Sequence, residues 1–387
     1  MTAPAFTLET SLGANVTQDA CNYSQSCPSS EDFKYLAYTI TYSIIFPIGF
    51  ISNVVALYVF LCLTPKKSPS SVFMINLAIS DVGFSLTLPF RLVYYFYGAE
   101  WIFPDWFCRW CMFSFYLNLY TSILFLTGLS VLRYLAVVHP IRNKTLVTVR
   151  RACLSCIGIW IFVTILSTPF LMSGTIKRDD KFRCFEPKNS KSWKRIFILN
   201  YVGLFFGFIV PFFTILACYG SIVCKLVTGR KIGTQKRTIR RRSLYLIAVV
   251  LSSFLLCFLP YHIIRTIHLH AKVLCKPCET INFHLKNLVI SLCMAASNSC
   301  FNPLLYYFAG ETFRTSIRQA SIRSTLSSFA QSGFYQSFQR RSQFGTFHKS
   351  RNPSPAPKRS VMHSIDSFYQ GVHGKPPADC AFEMALK

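Results

Sequence analysis

Two arginines stand in runs that are otherwise apolar: Arg91 in TLPFRLVYYF, residues 87–96, and Arg265 in FLPYHIIRTIHLH, residues 258–270. A guanidinium is a planar fork of donors that matches a carboxylate or phosphate with two parallel hydrogen bonds. Hydroxyls recur around both at helical spacing. Tyr261, Arg265 and His268 fall at i, i+4 and i+7, and Tyr116 and Tyr120 at i and i+4, so each set shares a helix face. Tyr95 lies one turn beyond Arg91. The pattern predicts a site for the acidic head of an apolar ligand. Arg91, Tyr95, Tyr116, Tyr120, Tyr261 and Arg265 are its candidate binding residues, with Phe, Tyr, Leu and Val sheathing the hydrocarbon. The competing reading has each arginine snorkelling to a polar interface or bonding backbone carbonyls.

A lone carboxylate, Asp81 in NLAISD, sits ten residues before Arg91. On an ideal helix that is about 15 Å along the axis and roughly 80° off the Asp81 face, an offset that a kink at Pro89 can correct. Asn118, Ser122, Asn298 and Asn302 offer neutral oxygens that, with Asp81, suit a sodium ion as hard oxygen donors. A water-filled polar cluster is the alternative. No other cofactor or metal is called for. His262, His268 and His270 lack acidic neighbours, so no hydrolytic or metal constellation is visible and an enzyme is not expected.

The elements that position these residues follow from composition. Of 387 residues, 52% are hydrophobic and 14% charged, against about 25% charged in a soluble domain. An integral membrane protein is indicated, in which an unpaired intramembrane arginine costs on the order of 3 kcal/mol or more and marks function by default. A spanning helix needs about 20 mainly apolar residues. Seven such segments are read at 35–63, 69–97, 106–138, 152–174, 196–227, 243–270 and 281–308. The predicted fold is an all-α membrane protein, a seven-transmembrane helix bundle with a short amphipathic eighth helix. The organisation is an N-terminal segment 1–34, the bundle 35–308, a membrane-surface helix 309–323 and a disordered tail 324–387. Without an obvious internal repeat, a transporter is disfavoured.

Sequons at Asn15 and Asn22 predict glycosylation and an extracellular amino terminus. Basic residues crowd the loops of the opposite side, among them Arg142, Lys144, Arg150, Arg151 and the 225–242 stretch, as cytoplasmic loops should. This loop charge accounts for much of the net +26, so nucleic acid is not an expected partner. One external loop, 177–195, is also basic; it is either an ordinary solvated loop or a funnel for an anionic ligand.

The ordered set Asn53, Asp81, Cys108, LRY (132–134), Trp160, Pro211, Tyr219, CFLP (257–260) and NPLLY (302–306) resembles the rhodopsin-like, class A G-protein-coupled receptors over about 35–322. The resemblance implies a Cys108–Cys184 bridge and, as in related lipid and nucleotide receptors, a second bridge from Cys27 to Cys278 or Cys275. It implies that Arg133 meets Tyr219, Tyr306 and a G protein in the active state, with Pro211, Phe254, Phe258 and Pro260 as the switch. Leu132 replaces the usual acidic neighbour of Arg133. Phe115 and Ala296 stand where amine receptors and opsins carry Asp and Lys, which argues against both ligand classes.

LPFRLVYYF, CFEP, FLPYHIIRTIHLH and AASNSCFNPLLYYFAGETFR sharpen the resemblance to the cysteinyl leukotriene receptors, with features of both type 1 and type 2. Implied partners are cysteinyl leukotrienes, a heterotrimeric G protein (Gq, with calcium release), membrane lipid, and arrestin and receptor kinases through the tail. The implied location is the plasma membrane. A nucleotide or dicarboxylate receptor of the same branch is the alternative.

Overall fold

A computed structural model describes residues 31–64, 66–172, 174–178, 180–186, 190–228, 234–309, 313–319 and 322. Seven helical spans are long and apolar enough to cross a membrane: Asp32–Leu63, Pro69–Phe96, Asp105–Val138, Val149–Met172, Trp193–Val227, Ser243–Val273 and Cys278–Phe308. Each end falls within three residues of the end expected from sequence. The surface chemistry explains why these segments belong in lipid. On the first span Leu36, Ile40, Ile44, Ile48, Ile51 and Val55 form an exposed stripe, while Asn53 is fully buried. A helix that is apolar outward and polar inward is stable only where the solvent is hydrocarbon.

Prolines set the local geometry. Pro260 and Pro211 each follow a π-turn, Ser253–Phe258 and Phe205–Ile209. Proline lacks an N–H and its ring crowds the carbonyl four residues earlier, Leu256 and Gly207 here. Both carbonyls lie inside the widened turns, which relieve the clash. The second span is interrupted between Ser85 and Leu88, just before Pro89. Thr87 Oγ1 donates to Phe84 O at 2.7 Å, binding a carbonyl at the break. In the piece after the interruption, Leu88–Phe96, Arg91 is buried.

Spans three and five approach closely because Gly203 and Gly207, one turn apart, leave a slot filled by the Tyr120 ring. A Cβ at Gly203 would strike the Tyr120 hydroxyl, and one at Gly207 would lie 2.5 Å from its Cδ1.

At one end of the bundle a short antiparallel hairpin pairs β1, Ile176–Arg178, with β2, Lys181–Arg183, in the register Ile176↔Arg183. The Cys108–Cys184 disulfide ties it to the third span. Trp101 N donates to Phe182 O at 2.7 Å, and the Tyr94 hydroxyl to Cys184 O at 3.0 Å. Cys275 and Cys278 are both disulfide-bonded. Cys27, Asn15, Asn22 and the tail 324–387 lie outside the described residues.

Among the described residues a second compact unit holds 58–64 and 313–319. Within it 313–319 are helical, with Phe313 and Ser316 buried and Arg314 and Arg318 exposed. Phe313 packs on Phe60 at 5.0 Å between ring centroids, and Thr64 and Ser316 share a 3.1 Å hydroxyl bond.

Candidate ligand-binding and switch sites

A cavity of about 310 Å³ opens at the disulfide-bearing end. The break before Pro89 carries Arg91 to its wall, and the sixth span beyond Pro260 carries Arg265 to it. Tyr95 and Tyr116 also line it, and Leu285, Leu288, Val289 and Leu292 of the seventh span supply an aliphatic wall.

Arg91 is 5% exposed. Its Nη2 donates to Cys111 O, while Nε has no hydrogen-bond partner. The guanidinium is caged by Phe185, Phe115 and Phe84, at 4.7, 5.6 and 6.0 Å from their ring centroids. Cation–π contact compensates part of the lost hydration. Arg265 donates through Nε to Asn200 Oδ1 at 3.2 Å and lies 5.2 Å from the Tyr116 ring. Tyr116 in turn stacks on Phe170 at 3.6 Å. The backbone-carbonyl bond of the competing reading is thus present at Arg91.

The other two candidates stand elsewhere. Tyr120 fills the glycine slot, and Tyr261 is fully buried with an unpartnered hydroxyl; neither lines the cavity. Several wall residues escaped sequence reasoning. Tyr38 and Tyr42 line the cavity, and their rings stack at 5.5 Å. With Tyr35 they fall at i, i+3 and i+7 in YLAYTITY, a stripe that could have been read. Phe170 and Phe185 of the wall, and Asn200 behind Arg265, carry no comparable signal.

Asp81 is completely buried. Its Oδ1 accepts from Asn118 Nδ2 at 2.9 Å and its Oδ2 from Asn302 Nδ2 at 2.7 Å. Ser122 Oγ and both polar atoms of Asn298 are buried without a partner. Ser122 and Asn298 each stand four residues from an Asp81 partner, Asn118 and Asn302, and these are the residues that could hold a hard monovalent cation.

At the opposite end, Tyr219 and Tyr306 each bond a polar side chain of a neighbouring span. The Tyr219 hydroxyl shares a 2.7 Å bond with Ser130 Oγ, and Tyr306 donates to Asn53 Oδ1 at 3.1 Å. Above them Phe254 packs against Phe208, Phe212 and Phe258, at 6.1, 6.3 and 5.4 Å, between the π-turns that precede Pro211 and Pro260.

A profile described as 7 transmembrane receptor (rhodopsin family) matches residues 52–306. The chain belongs to the rhodopsin family of seven-transmembrane receptors. It is therefore a multi-pass membrane receptor and not an enzyme. Within the family it is 44% identical to mouse cysteinyl leukotriene receptor 1 over 73% of this chain and 81% of the relative. It is also 44% identical to human cysteinyl leukotriene receptor 2, over 77% of this chain and 85% of the relative. Chicken lysophosphatidic acid receptor 6 is more distant, 36% identical over 75% of this chain and 95% of its own length. Near-equal identity to types 1 and 2 matches the mixed motifs and assigns neither.

Proposed function

We propose that this rhodopsin-family receptor responds to cysteinyl leukotrienes at the plasma membrane, with its amino terminus and cavity facing outward, and signals through Gq and calcium. The observation that carries the reading is a cavity that combines an aliphatic wall with the buried Arg91 and with Arg265. A leukotriene supplies the matching parts, a long hydrocarbon and a cysteine-derived head rich in carboxylates. Supporting it are the two sets of relatives at 42–44% identity.

Ligand carboxylates held by Arg91, Tyr116 and Arg265 would draw spans two, three and six together at the cavity end. Span six then pivots about Pro260 as Phe254 and Phe258 repack, moving its other end outward to expose Arg133 to a G-protein helix. Tyr219 and Tyr306 would leave Ser130 and Asn53 for Arg133. The ligand shifts this equilibrium only by its differential affinity for the two states. Asp81, Ser122 and Asn298, with Asn118 and Asn302, would hold an allosteric sodium ion, which supplies a counter-charge to Asp81. Arrestin and receptor kinases would act on the tail, and residues 313–319 would lie along membrane lipid.

The test is calcium release in transfected cells exposed to cysteinyl leukotrienes and, separately, to nucleotides, comparing wild type with Arg91→Ala at matched surface expression. A leukotriene response lost in the variant is expected. Silence to leukotrienes with a response to nucleotides would discard the ligand.

A further inference from the structure

The cavity is strongly cationic. Lys34, Arg91, Arg178, Arg265 and Lys272 line it, and among the described residues a single carboxylate, Glu186, does so. Its position is built rather than incidental. Glu186 follows Cys184, which the disulfide fixes, and Phe185, whose φ is +69°. A bulky aromatic residue in the left-handed region is uncommon and strained, and such strain persists where the surroundings over-determine it. The turn places the Phe185 ring over Arg91 at 4.7 Å and against Tyr94 at 5.5 Å. It delivers Glu186 to the same cavity.

The carboxylate is mostly enclosed, with its side chain 18% exposed. Lys34 Nζ lies 3.4 Å from Oε1, and Arg178 Nη1 lies 3.7 Å from Oε2. Lys34 thus donates a long hydrogen bond to Oε1 and Arg178 pairs at a distance with Oε2; a carboxylate has about four acceptor sites, so both oxygens retain acceptor capacity. A site meant only for anions would gain from a neutral residue here, because a carboxylate repels the ligand it is built to attract.

We propose that Glu186 is a specificity-determining counter-charge, accepting the ammonium of a ligand whose carboxylates are held by Arg91 and Arg265. The cavity then recognises a mixed-charge head and disfavours a wholly anionic one such as a triphosphate. This deepens the leukotriene reading and rests on it, since a cysteine-derived head bears an α-ammonium beside its carboxylates.

The experiment is competition binding on membranes from transfected cells, independent of G-protein choice. The probes are a leukotriene with a cysteinyl-glycine head and its N-acetyl derivative, which keeps the carboxylates and loses the ammonium. Wild type is expected to prefer the free amine by about tenfold or more, the worth of one charge-assisted contact. Glu186→Gln is expected to bring the two ligands within about twofold of each other. Glu186→Asp, with the charge on a shorter stem, keeps a measurable preference and guards against a folding defect in the Gln variant. Equal binding of both ligands by wild type, or an undiminished preference in Glu186→Gln, overturns the proposal. Equal weakening of both ligands in Glu186→Gln also overturns it, by showing a purely structural role. Failure of wild type to bind either leukotriene instead sinks the ligand assignment itself, a distinguishable result.

Discussion

The slot between spans three and five makes a prediction with a built-in asymmetry. Alanine at Gly203 places its Cβ on the Tyr120 hydroxyl, whereas alanine at Gly207 places it 2.5 and 2.6 Å from ring carbons Cδ1 and Cε1. Both distances are well inside contact, so each single substitution should cost about 1–3 kcal/mol through overpacking. Part of that is offset by the roughly 0.5–1 kcal/mol that alanine gains over glycine in a helix. Removing the Tyr120 hydroxyl separates the two sites. Tyr120→Phe deletes the atom that Gly203→Ala meets first and leaves Cζ 2.9 Å away, so the double variant should recover part of the loss, a coupling of about 1 kcal/mol. The same change leaves the carbons facing Gly207 in place, so Gly207→Ala should not be rescued. The assay is thermal denaturation of purified, ligand-free receptor. At roughly 2–4 °C per kcal/mol for soluble domains of 150–250 residues, shifts of several degrees are expected for each single glycine variant. Rescue of both glycine variants by Tyr120→Phe, or of neither, would refute the claim that the hydroxyl lies over Gly203 and the ring edge over Gly207.

Two further outcomes are expected from the polar contacts of the core. Ser130→Ala removes the 2.7 Å bond to Tyr219, worth about 1 kcal/mol; ligand-free signalling should rise about two- to fivefold at equal surface expression, and an unchanged baseline would count against Ser130 as a restraint. Asp81→Asn keeps the shape of the cluster and removes its charge. Agonist affinity should differ at least about threefold between sodium and choline chloride in wild type and lose that difference in the variant; a sodium-insensitive wild type would remove the ion from the account.

What the sequence determined by itself is the set of spans and the kinds of group inside them. Twenty apolar residues in a row, or a proline after such a run, are local facts, and lipid acts on each span separately before the spans meet. That is why seven helices could be delimited to within three residues, and why Arg91, Arg265 and Asp81 stood out against their surroundings. The tertiary structure decided which of the candidates face one another. A π-turn widens its helix, and each inserted residue rotates the remainder of that helix by about 100°. The turns at Phe205–Ile209 and Ser253–Phe258 hold the aromatics Phe208, Phe254 and Phe258 themselves, so helical spacing alone could not fix how the segments on either side of each turn are rotated. Arg265 and His268 reach the wall, while Tyr261 on the same nominal face stays buried beside them. Tyr120 was legible as a tyrosine on the inner face of span three, but its place is fixed by two glycines some eighty residues later. Glu186 was legible only as one acid in a basic loop; a disulfide and the left-handed Phe185 bring it to the two arginines. Contacts between spans depend on rotation, kinks and cross-links, and no local pattern encodes them.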